Sequence, residues 1–129
     1  MSYAESREIY PPLHASVMTL FDEIMYPGDI FEKRPNDTKY FDMFTLATHS
    51  GYRGKGIGSN LIKEGLKIGR KVDCSACIVL ATNDFSRKIF QKFKFDLIAS
   101  KEWKDCLYDG RPAFGDVQSE NATAHYLKL

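Results

Sequence analysis

The stretch RGKGIGSN, residues 53–60, alternates Gly54, Gly56 and Gly58 and runs straight into an apolar-periodic segment. Side chains are given up this densely where the backbone must turn sharply or touch something closely. Upstream, KYFDMFTLAT, residues 39–48, is aromatic-rich and apolar on both faces, which predicts an interior strand. Downstream, Ile57, Leu61, Ile62, Leu66, Ile68 and Val72 recur at helical spacing, with Lys63, Lys67, Arg70 and Lys71 on the opposite side. The glycines therefore join a strand to a helix. Free N–H groups and the positive end of the helix dipole make such a junction suited to phosphate oxygens. A ligand-free glycine turn has the same spacing, and both readings stand at this point.

Two familiar phosphate loops do not fit. A P-loop needs Gly-Lys-Ser/Thr four residues after its first glycine, and counting from Gly51 lands on Gly56-Ile57. The dinucleotide pattern fails because Gly58 stands too close to Gly56, and no acidic residue follows the next strand to grip a ribose.

Working outward, CSACIVLAT at 74–82 predicts a buried strand, and Asn83 or Asp84 caps a helix through FSRKIFQKF. KFDLIAS at 94–100 and ATAHYLKL at 122–129 predict two more strands, around a turn signal at DGRP, residues 109–112. Before the first strand, PPLHASVMTLFDEIMY at 11–26 has helical spacing, PGD breaks it, and EKRPNDT reads as a loop. The order implies a right-handed strand–helix–strand unit with parallel pairing, the last two strands pairing antiparallel. The expected class is α/β, a single domain over 1–129 with helices on both faces of a mixed sheet.

Eighteen basic against seventeen acidic side chains leave a net charge of +1, so no global field argues for nucleic acid or an acidic membrane. No apolar run approaches a membrane span, and the polar start MSYAESREIY does not resemble a signal peptide. The three cysteines fit a reducing compartment, with cytoplasm the expected location. Cys74 and Cys77 have the spacing of a redox or zinc pair, but they lead into a buried strand without a second pair. They read as structural thiols, and no metal is expected.

Arg53-x-x-Gly56-x-Gly58, followed by the helix GSNLIKEGLKIGRK, a strand and NDFSRKIFQKFKF, resembles the core of the GNAT superfamily of N-acetyltransferases. Within it the chain is most similar to the C-terminal part of invertebrate arylalkylamine N-acetyltransferases, over roughly Asp29 to Leu129. The resemblance implies parallel central strands split around a coenzyme A site, with the family's N-terminal strands missing. It implies acetyl-CoA as cosubstrate, its pyrophosphate on Arg53, Gly54, Lys55, Gly56, Ile57, Gly58 and Ser59. The pantetheine arm would lie beside Leu46, Ala47 and Thr48, whose backbone N–H groups offer an oxyanion donor, with Asn83 nearby.

Amine acetylation also needs a base for the ammonium and a proton for the departing thiolate. Relatives commonly place a Tyr for the last task where this chain has Phe90, which has no proton to give. The arylalkylamine branch implies Ser86 and Thr82 as the catalytic hydroxyls and His125 as a residue bordering the amine. Ser86 bonding its own helix backbone is an equally good reading. No position matches the branch's basic Glu, and His49 beside the loop reads as a solvated side chain. Two further departures are Thr48 where relatives carry Val, and Lys94 where the family's turn carries Gly in a left-handed conformation.

The resemblance thus implies transfer of an acetyl group to a small arylalkylamine in a ternary complex. A non-catalytic coenzyme A-binding module is the alternative, and an unrelated phosphate-binding regulatory domain a third. Without the family's first strands, KYFDMFTL would form an open edge, inviting a homodimer.

Overall fold

A computed structural model describes residues 15, 18, 19, 22–24, 30–108, 110–112 and 120–129. The helix expected over 11–26 lies largely outside them, but Ala15, Met18, Thr19 and residues 22–24 are helical. A single turn, α1 (Ile30–Lys33), takes up the start of the expected loop and leads to β1 (Tyr40–Asp42). A 3₁₀ turn at Ser50–Tyr52 precedes the glycine loop, and α2 (Ile57–Lys71) follows it. Then come β2 (Ala76–Ala81), α3 (Asp84–Lys92) and β3 (Asp96–Glu102). A small hairpin of β4 (Leu107–Tyr108) and β5 (Arg111–Pro112) follows, with Gly110 in its turn, and β6 (Asn121–Lys128) is the last strand.

The four-stranded sheet has the order β1-β2-β6-β3. β1 runs parallel to β2, and β6 is antiparallel to both β2 and β3. The mixed α/β class is as expected. The final strand, however, does not sit beside solvent. It is inserted between β2 and β3, and Ala122 to Tyr126 are buried on both faces. On one face Ile78, Ala124 and Tyr126 pack with Trp103 and the helical Ile24. On the other, Cys77, Val79 and Ala81 pack under Ile62 and Leu66 of α2 and Phe90 of α3.

The strand read over residues 39–48 as interior is shorter and differently placed. It ends at Asp42, and among the described residues its only strand neighbour is β2. The apolar pattern of 43–48 has another origin, because Met43 and Leu46 turn toward α2 and α3 instead of continuing the ladder.

The buried stripe of α2 also differs from the one its periodicity suggests. Ile62, Leu66 and Gly69 face the sheet, while Leu61, Ile68 and Val72 are exposed by 48%, 52% and 43%. Glycines decide the orientation. A Cβ on Gly65 would stand 2.6 Å from Met43 Sδ, and one on Gly69 3.3 Å from the Phe41 ring. The helix lies close on β1 because these two positions carry no side chain. Counting apolar side chains alone misses that.

At the end of α3, Lys94 takes φ +62, the left-handed turn expected from its place in the family's pattern. The amides of Lys94 and Phe95 close the helix end onto Gln91 and Phe90 carbonyls at 3.0 Å each. An L side chain there costs about 1 kcal/mol. Lys94→Gly is therefore expected to raise unfolding free energy by about 1 kcal/mol, readable as a higher urea midpoint at unchanged slope.

Candidate functional site

β1 and β2 are parallel, so their carboxyl ends lie together, and the ladder between them stops early. The last register pair is Asp42 with Ile78, and the last bond is from Met43 N–H to the Ile78 carbonyl at 3.3 Å. Beyond it β2 continues to Ala81, paired only with β6. Residues 44–48 thus leave the ladder at the carboxyl ends of the parallel pair, the place where open α/β sheets take ligands.

The glycine loop stands beside this segment, with Gly58 close to Leu46. Gly54 and Gly56 have φ of +76 and +74, where L side chains are strained. A Cβ on either would meet nothing within 4 Å, so it is the backbone turn, not crowding, that demands glycine. Gly56 caps α2 without a side chain, and its carbonyl takes the first helical bond from Asn60 at 3.0 Å. Among the described residues no acceptor meets the N–H groups of Gly54 to Ser59. Gly58 lies under the Ile89 and Leu46 side chains, the first of which a Cβ would approach to 3.2 Å.

The loop's cations are engaged locally. Arg53 Nε donates to the Thr48 carbonyl at 3.4 Å, and Lys55 Nζ lies 5.4 Å from the centre of the Tyr52 ring. His49 is exposed and has a structural task, since its Nδ1 accepts the Gly51 N–H at 3.1 Å and caps the 3₁₀ turn. Leu46 and Thr48 are half-buried and Ala47 is exposed.

From the β2 side, Thr82 is half-buried directly after the strand. Asn83 caps α3, its Oδ1 accepting the Ser86 N–H at 2.9 Å. That bond commits the Asn83 carbonyl oxygen to the helix and fixes Ser86 in the first turn. The Ser86 hydroxyl is half-buried and has no hydrogen-bond partner among the described residues. His125 lies farther in, 2% exposed, with Nε2 2.9 Å from Thr123 Oγ1 and its ring 5.6 Å from that of Phe90. Burial, and then the charge of Arg87, push its pKa down to about 4. It is an interior residue behind α3.

Sequence reasoning missed Arg87 and Thr123. Arg87 Nη2 donates to the Asn121 carbonyl and side-chain oxygens at 3.0 and 2.7 Å, and Nε to Thr123 Oγ1 at 3.3 Å. It ties α3 to the start of β6. The available signal was Thr two residues before His125 in a strand, which puts both on one face.

Cys74, Cys77 and Cys106 are free and buried, and burial pushes the Cys77 thiol up to about 12. Cys74 lies just outside β2, and both thiols of the CSAC pair are buried and free. Among the described residues no group of three His, Cys, Asp or Glu side chains could hold a metal, and no helix is long and apolar enough to cross a membrane.

The sequence profile of the acetyltransferase (GNAT) family matches residues 25–95. The chain belongs to this family. Similar solved GNAT-fold structures include arylalkylamine N-acetyltransferase 2 of Aedes aegypti, with TM-score 0.83 and 20% identity, covering 97% of this chain and 58% of that one. Another is the Drosophila melanogaster polyamine N-acetyltransferase that forms N-acetylagmatine, with TM-score 0.78 and 18% identity, covering 98% and 61%. This chain thus spans about three fifths of their lengths. At these identities the likeness concerns the fold. No curated protein sequence matches the chain.

Proposed function

We propose that the protein transfers the acetyl group of acetyl-CoA to a primary amine, the amine being a small arylalkylamine. The single observation behind this is the run of amides from Gly54 to Ser59 without acceptors, at the mouth of α2 where the parallel strands part. Those N–H groups fit the diphosphate of coenzyme A, with the helix dipole behind them. The extended segment Leu46–Thr48 fits the pantetheine arm, and a free N–H there can polarise the thioester carbonyl. Asn83 contributes through the turn it caps. Bound there, acetyl-CoA supplies the activated acyl group.

Ser86 is the residue we assign to protonating or orienting the thiol, because its hydroxyl is uncommitted while its amide is held by Asn83. Thr82, directly after β2, is the second hydroxyl we assign to the chemistry. Ser86→Ala is expected to lower kcat by about 100-fold with KM for acetyl-CoA unchanged. An unchanged rate removes Ser86 from the chemistry.

The whole proposal is tested by incubating the protein with acetyl-CoA and tryptamine and following thiol release, with agmatine in parallel. Faster release with tryptamine supports the arylalkylamine assignment, and faster release with agmatine moves the substrate to the polyamine class. Coenzyme A binding without turnover on either amine identifies a binding module. We further assign the protein to the cytoplasm, on its three buried free thiols, and propose a homodimer on the β1 side of the sheet.

A further inference from the structure

We propose that Arg87 and Thr123 are positioning residues that hold His125 as a neutral imidazole protonated on Nδ1, so that it acts as a hydrogen-bond donor and not as a base. The geometry favours one proton arrangement. A guanidinium can only donate, so the 3.3 Å contact of Arg87 Nε makes Thr123 Oγ1 an acceptor. Arg87 is itself pinned, by Asn121 through Nη2 and by Asp84 at 3.2 Å through Nη1. The Thr123 hydroxyl then has one proton to place, and among the described residues its only other partner is His125 Nε2 at 2.9 Å. A proton on Nε2 would leave two buried groups unpaired, the hydroxyl hydrogen and the Nδ1 lone pair, where the other form leaves only the Nδ1 hydrogen. Nε2 therefore accepts, and the neutral ring carries its hydrogen on Nδ1.

The surroundings favour the neutral ring. In register, His125 lies between Val79 of β2 and Leu97 of β3, with Phe90 of α3 against its ring. The charged group reaching this cluster from α3 is Arg87, a cation, and its counter-ion Asp84 is 64% exposed. Burial and that cation hold the ring neutral across the physiological range. With Nε2 occupied, the nitrogen that could take a proton from an ammonium is closed. Nδ1 is buried and has no partner among the described residues, so its hydrogen is uncommitted there.

The tautomer follows from the relay alone, while its use in turnover rests on the acyl-transfer proposal. The test is long-range proton–nitrogen NMR of the uniformly labelled protein, with His125 signals identified by their loss in His125→Gln. The expected wild-type spectrum shows Nδ1 protonated and Nε2 unprotonated, without titration between about pH 5 and 8. Thr123→Val should bring in the Nε2–H form, Thr123→Ser should restore the wild-type pattern, and Arg87→Met should raise the titration midpoint. An Nε2–H ring in the wild type overturns the proposal even if Thr123→Val does not fold. So does an unchanged tautomer in a folded Thr123→Val. In the thiol-release assay Thr123→Val should lower kcat about ten-fold with KM for acetyl-CoA unchanged. A wild-type protein without turnover but with the expected tautomer overturns the acyl-transfer proposal and supports the relay.

Discussion

Gly56→Glu is expected to abolish coenzyme A binding while leaving the fold intact. The two halves of that outcome have separate causes. A side chain at Gly56 meets no atom within 4 Å, so the substitution crowds nothing in the protein itself. Its φ of +74 adds about 1–2 kcal/mol of backbone strain, which shifts the cap away from its present shape. The carboxylate then stands where, on the proposed binding mode, the amides of Ile57 to Ser59 face a diphosphate. Like charges about 4 Å apart near a protein surface repel by roughly 4 kcal/mol. Together these weaken binding on the order of 1,000-fold or more, at about 1.4 kcal/mol per ten-fold. Gly56→Ala carries the strain without the charge and should lose only about ten-fold. Calorimetry with coenzyme A reads both, and circular dichroism checks the fold. Native affinity in folded Gly56→Glu places the diphosphate elsewhere and withdraws the site.

That prediction uses a feature plain in the sequence, and the contrast with other parts of the chain is instructive. A glycine loop between a strand and a helix is a local pattern, so Gly54 to Ser59 and the Asn83 cap could be read from a few neighbouring letters. The turn at Lys94 comes from the family's pattern alone, which leaves open a strained turn or a different one, and the residue takes the left-handed form. What escaped was set by distant residues. Leu61, Ile68 and Val72 look like a core stripe until Gly65 and Gly69 are seen to bring α2 onto Phe41 and Met43. β6 alternates like a half-exposed strand, yet both its edges and faces are covered, and its polar Thr123 and His125 are buried with Arg87 as partner. No periodicity encodes a partner thirty-six residues away.

Asp37 is the extreme case, and it carries the largest stability prediction. Within EKRPNDT it reads as a solvated loop residue, but it is 8% exposed. Its carboxylate accepts the Tyr126 hydroxyl and pairs with Lys128, joining the turn after α1 to the end of β6. Arg34 adds its guanidinium 4.0 Å above the Tyr126 ring. Burial alone would raise the Asp37 pKa, but the bonds from Lys128 and Tyr126 outweigh it and hold the group below its ordinary value of 3.8.

Asp37→Ala leaves a buried phenol without its acceptor, while Lys128, 58% exposed, recovers water and contributes little. The expected loss is about 2–3 kcal/mol at neutral pH, with Tm about 10 °C lower. Asp37→Asn keeps an acceptor for Tyr126 and should lose about half as much. The sign of the pH dependence follows from the depressed pKa: the contribution is complete above 3.8 and disappears as pH falls through the lower folded-state value. At the alkaline end, burial and the Asp37 bond push Tyr126 up to about 12 from 10.0, so its contribution is complete below 10.0 and is lost through 12. Urea titrations of wild type and Asp37→Ala should therefore differ most in the neutral range and converge in acid. A gap that stays constant down to low pH would show that the carboxylate's charge holds nothing together here.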